Sequence, residues 1–279
     1  MKAIFDTVSH KTSKLVTNEY STSFSLATKM LGKSIRQDIY NIYGFVRFAD
    51  EIVDSFHDYD KEFLFQDFEK QLSDALVNKL SLNPILNAFQ ETVHRYDISR
   101  ENIEAFMKSM HQDLTKKEYT TQKEYEDYIY GSADVVGLMC LQVLVKGDKK
   151  KYNELMGAAM KLGSAFQKVN FLRDLKEDFE NLDRSYFPNT DLESLDEFSK
   201  NKIIEEIEND FREGYIGIQK LPIEGKLGVF TAYRYYKQLL VKIKNTPAPK
   251  IKSTRIRISN SKKIELLTRS YVKYQLNLL

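Results

Sequence analysis

Two tracts without a proline, residues 1–83 and 85–187, constrain this chain more than any other feature. Proline fixes φ and removes a backbone donor, and together with glycine it marks the turns of β-rich folds. Five prolines and eleven glycines in 279 residues are too few for a many-turned β architecture. The spacing of apolar residues predicts helices over 7–18, 21–31, 34–55, 60–80, 83–95, 99–113, 122–146, 150–179, 196–220, 225–244 and 259–277. The breaks at "LSLNP" (80–84), "GDKK" (147–150) and "NTPAP" (245–249) are turns, and none reads as a linker. The expectation is one large all-α domain over 1–279, long enough to bury a sizeable core.

Charge narrows the function classes. A net charge of +2 argues against a surface built for polyanions, so no nucleic-acid partner is expected. The basic residues are nevertheless uneven: between Lys242 and Lys273 ten Lys or Arg residues face a single acid, Glu265. That segment suits either anionic lipid headgroups or a solvated face. A lone cysteine, Cys140, allows no internal disulfide and fits a reducing cytoplasm. No tripartite signal peptide is evident at the N-terminus. The longest apolar run, Val135 to Val145, contains Gln142 and is far short of the roughly 20 residues that span a bilayer.

Two acidic stripes stand out within otherwise apolar helices. In "RFADEIVDSF" (47–56), Asp50 and Asp54 are four apart, and Tyr43, Arg47, Asp50 or Glu51, and Asp54 step along one helix face. In "FQKVNFLRDLKEDFENLDRSYFP" (166–188), Gln167, Asn170, Asp174 and Asp178 do the same. One such pair is usually a solvated face. Two, each accompanied by Asn, Gln, Tyr or Arg, point to oxygen ligands for a hard divalent cation that keeps positions open for water and phosphate. Magnesium bridging to a diphosphate is the expected use.

The order "YSTSFSLA" (20–27), "IYGFVRFADEIVD" (42–54), "YGSADVVG" (130–137), "QKVNFLRDLKED" (167–178) and "DRSYFP" (183–188) resembles the squalene and phytoene synthase family over nearly the whole chain. Within the family it looks most like the bacterial phytoene synthases. The resemblance implies an isoprenoid synthase fold with a central cavity between two aspartate-rich walls. It implies that Asp50, Asp54, Asp174 and Asp178, with Asn170, hold magnesium, for which manganese is an alternative. Ser21, Ser23, Phe24, Arg47, Gln167, Asn170, Arg173, Tyr236 and Arg255 are implied to bind substrate, and Tyr43, Arg47, Tyr130 and Tyr186 to assist the chemistry.

The implied activity is that of a prenyltransferase of the 15-cis-phytoene synthase type. Two geranylgeranyl diphosphates would condense head to head through prephytoene diphosphate to phytoene, in carotenoid biosynthesis, without NADPH. The chemistry suits the residues: leaving-group charge needs preorganised positive charge and donors, and the carbocation needs a dry, aromatic-lined cavity. Small residues after "STSF", notably Thr28, suggest depth for a C20 chain. The implied partners include later carotenoid enzymes, and the implied location is the cytoplasm or the inner face of its membrane.

Two departures from the family pattern are visible. Glu51 stands where relatives often carry a second adjacent aspartate, as a secondary ligand or a surface acid. Asp134 stands in "YGSADVVG" where many relatives read "YGVAGTVG", and both a pocket role and a helix-surface position are open. The alternatives are a squalene or dehydrosqualene synthase acting on farnesyl diphosphate and, in another class, an inactive member serving as an assembly scaffold.

Overall fold

A computed structural model describes the backbone of residues 1–182, 186–188 and 195–278, and the side chains of all of these except 177–182. Helices dominate, and there is no strand among the described residues. In chain order they are α1 (Lys2–Tyr20), α2 (Thr22–Lys29), α3 (Lys33–Ser55), α4 (Lys61–Asn78), α5 (Pro84–Tyr96), α6 (Arg100–Gln112) and α7 (Gln122–Ile129). After a π-helical turn (Tyr130–Asp134) come α8 (Val135–Leu144), α9 (Lys149–Leu182), α10 (Glu197–Lys220), α11 (Ile223–Lys244), α12 (Ala248–Ile251) and α13 (Asn260–Gln275).

Local chemistry sets the boundaries. Asp60, Asn83, Ser99 and Ser259 each accept a backbone N–H at a helix start, and Thr121 closes a capping box with Glu124. Pro84 sits at the first position of α5, where its missing N–H costs nothing. Two expectations need correction. The single helix over 122–146 is divided by the π-helical turn, and the "NTPAP" break contains the short α12, begun by Pro247 and Pro249 as N-terminal prolines.

Two apolar clusters build the interior. One joins α3 to α4, α5, α6 and α8 and centres on Phe45, which stacks on Phe89 with ring centroids 3.9 Å apart and meets Phe106 edge-on. The other joins α7, α9, α10 and α11, with Phe171 stacked on Tyr186 at 4.0 Å. Between them α9 lies directly against the π-helical turn. This approach requires Gly163, because a Cβ there would stand 2.8 Å from the Ala133 carbonyl oxygen. Among the described residues no helix is long and apolar enough to cross a membrane.

Candidate active site

The site begins where α1 breaks into α2. Ser21 is extended, with φ −144°, and its hydroxyl accepts the Phe24 N–H at 3.2 Å, so the chain turns sharply and starts a new helix. The turn places Ser21 and Ser23 on the wall of a polar cavity of about 470 Å³. Arg173, Tyr236, Arg255 and Lys263 line the same space. An apolar cavity of about 260 Å³ adjoins it, and the two share Phe24 and Ala232. Thr28, Leu31, Val46, Ala133, Phe166 and Gln167 belong to the apolar part.

On α3, Arg47 bonds to both Asp50 and Glu51 of its own helix, and its guanidinium lies 4.5 Å from the ring centre of Tyr20. Burial works against the Arg47 charge, but Asp50 and Glu51 more than offset it and hold the group above its ordinary value. Its Nε is buried without a hydrogen-bond partner. Tyr43, one turn earlier, stacks on Phe24 at 4.6 Å. Burial pushes its hydroxyl up to about 12, with Arg47 and a hydrogen bond to Ser21 pulling the other way. It is therefore a neutral donor at neutral pH.

On α9, Asp174 is gripped from two sides. Arg173 reaches it through Nε at 2.9 and 3.0 Å, and Arg255, eighty-one positions later, reaches Oδ1 at 2.9 Å. One turn before Asp174, the Asn170 amide donates to Gln167 Oε1 at 3.5 Å, while Asn170 Oδ1 is buried with no donor. A buried, unsatisfied carbonyl is the natural seat of a cation or a strong donor. Asp178 lies on the same helix, but its side chain lies outside the described residues.

These oxygens fit a hard cation. Asp50, Asp54, Asn170 and Asp174 offer only oxygen donors, and among the described residues no three His, Cys, Asp or Glu side chains converge into a closed metal cage. A magnesium ion held by oxygens of this kind would keep its remaining positions for water and phosphate oxygens.

Tyr43, Arg47, Asp50, Asp54, Asn170 and Asp174 line neither of the two cavities, and two expected aromatic residues fall elsewhere as well. Tyr130 opens the π-helical turn and is 41% exposed; the Val135 N–H reaches back to its carbonyl, and the widened turn brings Ser132 and Ala133 to the cavity instead. Tyr186 is buried among Phe171, Tyr128 and Tyr119, so it supports α9 from outside either cavity. Asp134 is neither pocket lining nor surface acid: it is buried and accepts a hydrogen bond from Ser164 at 2.7 Å. Residues absent from the sequence-based set also enter the site. Phe166 stacks on Tyr236 at 4.0 Å across the junction of the two cavities, and Tyr20 lies beneath Arg47. The basic count of the C-terminal segment signals Lys263 without placing it.

Comparison with known proteins agrees with this architecture. The squalene/phytoene synthase family model matches residues 17–262. The chain is similar to phytoene synthase 1, chloroplastic, of Zea mays, at 31% identity over 63% of this chain and 43% of that protein. It is also similar to the 4,4'-diapophytoene synthase of Staphylococcus haemolyticus, at 28% identity over 73% of this chain and 69% of that protein. The chain thus spans less than half the length of the maize relative. A crystal structure of a dehydrosqualene synthase in complex with ligand superposes with a TM-score of 0.82 over 97% of this chain and 98% of that one, at 22% identity. That likeness identifies the isoprenoid synthase fold.

Proposed function

The chain belongs to the squalene/phytoene synthase family, and we propose that it is a prenyltransferase joining two geranylgeranyl diphosphates head to head to form phytoene, with release of diphosphate. The observation that carries this reading is the junction of a cation-lined polar cavity with an apolar one through Phe24 and Ala232. An allylic diphosphate has the same division, a dianionic or trianionic head on a long apolar chain.

In this reading Asp50, Asp54, Asn170 and Asp174, with Asp178, hold magnesium, which neutralises the leaving diphosphate when bound. The chain's own groups do the rest. Arg47, with its unpaired Nε, Arg173 and Arg255 supply fixed positive charge, and Ser23 and the neutral Tyr43 hydroxyl donate hydrogen bonds to the departing oxygens. Phe24, Phe166 and Tyr236 present aromatic faces at the cavity junction, each worth about 0.5–2 kcal/mol to a cation. Apolar walls exclude water while the C1 cation alkylates the second molecule's C2–C3 double bond and loses a C1 proton as the cyclopropane closes, after which the cyclopropyl diphosphate ionises, releases the second diphosphate and rearranges. Proton loss ends the sequence, so no reductant is required.

Chain length rests on Thr28. It is buried, lines the apolar cavity and leaves room on the α2 face. Similarity to a 4,4'-diapophytoene synthase supports a second reading, the same coupling of two C15 substrates. The cations around α13, Lys262, Lys263, Arg269 and Lys273, support peripheral contact with an anionic cytoplasmic leaflet.

The test is incubation of the protein with magnesium and geranylgeranyl or farnesyl diphosphate, with and without NADPH, followed by chromatography of the hydrocarbon extract. Phytoene from the C20 substrate without NADPH is expected. Dehydrosqualene or squalene from the C15 substrate alone would move the activity to triterpenes, and no hydrocarbon from either, with detergent present, would favour a scaffold. Thr28→Phe is expected to depress C20 turnover more than C15 turnover; an unchanged preference would defeat the chain-length argument.

A further inference from the structure

Behind the apolar cavity lies a cluster of charges that the reading above does not use. The π-helical turn supplies Ser132 and Ala133 to the cavity wall, and its last residue, Asp134, points away from the cavity lining into the interface with α9 and α10. There Lys168, itself buried, bonds Asp210 at 2.7 Å, and Ser164 donates to Asp134. Lys161 reaches Asp210 at 3.0 Å and Glu206 reaches Lys168, both from side chains that are 45% exposed. These two outer groups cancel in sign and are screened by water. The buried remainder is one lysine and two carboxylates, so ionised Asp134 leaves the interior behind the wall with a net negative charge.

We infer that the Asp134 carboxylate is a fixed counter-charge behind the apolar cavity, stabilising positive charge that develops on a prenyl chain lying against Ser132 and Ala133. The inference rests on the proposed carbocation chemistry and adds to it a positioning residue that touches no substrate. Gly163 allows α9 to press against Ala133 and the Asp134 backbone, and Ala133, next to Asp134 in the chain, lines the cavity. In so dry a setting a single charge at that remove acts strongly on a cation, whereas in water it would be negligible.

The surroundings show what this charge does to the fold. Burial, chiefly, pushes the Asp134 carboxyl up to about 6, with Ser164, Lys168 and Lys161 holding it down and Asp210 adding to the rise. From α6 the turn meets Ser109 and the Ala105 carbonyl beside Gly131. From α7, Tyr125 brings a buried hydroxyl without a partner toward Glu206 and Asp210, and α8 adds apolar side chains and Cys140. The positive partners of Asp134 are therefore the two lysines of α9. A carboxylate kept in a place that disfavours its ionisation lowers stability, which is the usual cost of a group retained for function.

The experiment compares wild type, Asp134→Asn and Ser164→Ala with magnesium and geranylgeranyl diphosphate between pH 5.5 and 9, following kcat, KM and thermal unfolding. Asp134→Asn keeps an acceptor for Ser164 but removes the charge. It is expected to lower kcat about tenfold at pH 8 with KM within about twofold, to abolish the fall in kcat around pH 6, and to melt higher than wild type. Ser164→Ala keeps the charge, so its kcat at pH 8 should stay near wild type while the acid limb moves to higher pH. A melting temperature at or above that of wild type with unchanged kcat and pH profile in Asp134→Asn would overturn the inference. Equal loss in both variants would also overturn it, by assigning the effect to the hydrogen bond. A wild-type protein that converts neither C20 nor C15 diphosphate defeats the proposed function, and the inference with it; an active wild type matched by Asp134→Asn defeats the inference alone.

Discussion

The acidic ends of α3 and α9 carry the same spacing of aspartates but hold their charge in different ways. On α3 one balancing cation is local: Arg47 reaches Asp50 and Glu51 within one turn of the same helix. On α9 the balance combines a neighbour, Arg173, with a distant group, Arg255 from the segment between α12 and α13. The same helix is also tied to α10 through Lys168 and Asp210 and to the π-helical turn through Ser164 and Asp134. The pair that Arg47 makes can therefore form within its own helix, whereas the pair that Arg255 makes depends on the assembled C-terminal half. Identical sequence spacing does not mean identical dependence on the fold.

The largest expected effect tests what the two walls share. Asp50→Asn and Asp174→Asn should each lower turnover by about a thousandfold or more, with the helical circular dichroism unchanged. If either variant lost its helical signal, that acid would be a structural group rather than a functional one.

Removing the cations separates the two helices. Lys168→Met, Arg255→Ala and Arg47→Ala rank by how much tertiary structure each one anchors. Lys168→Met leaves the buried Asp210 to the half-exposed Lys161 and should destabilise the protein by about 3 kcal/mol in urea unfolding. Arg255→Ala should raise KM for the diphosphate about tenfold and make residues 252–259 more susceptible to limited proteolysis. Arg47→Ala should impair kcat without that proteolytic change, because its carboxylate partners Asp50 and Glu51 lie on its own helix. Equal proteolysis of the two arginine variants would erase the distinction between a local and a long-range wall.

The smallest effect concerns pH. Asp134 binds its proton more tightly in the folded protein, at about 6, than at its ordinary 3.8. The folded state therefore holds the extra proton between those values, and stability falls as pH rises from about 4 through about 6. Above that window the native protein should be less stable than Asp134→Asn by on the order of 2 kcal/mol, and below pH 4 the difference should vanish. Denaturant unfolding at pH 8 and pH 4 would reveal it, and a constant difference would mean that the carboxylate is not the cause.

Much of this molecule was legible in the order of its residues. A helix repeats every 3.6 residues, so the stripes of Tyr43, Arg47, Asp50 and Asp54 and of Gln167, Asn170 and Asp174 follow from local spacing, and sparse proline makes their helices long. The capping residues at Asp60, Asn83, Thr121 and Ser259 mark helix starts for the same local reason. The motifs around them sufficed to identify the family that the matched region, 17–262, belongs to.

Other features were decided only by tertiary structure. The π-helical turn changes the helical phase, which leaves Tyr130 exposed and puts Ser132 and Ala133 at the cavity. Nothing local distinguishes Asp134 as surface acid, pocket lining or buried counter-charge, because burial depends on α9 and α10 arriving from elsewhere in the chain. The meeting of Arg255 with Asp174, and of Phe24 with Ala232 between two cavities, likewise requires segments far apart in sequence to close on one another. Periodicity is a property of neighbouring residues and can be read along the chain, whereas dielectric environment and cavity shape are properties of the packed whole.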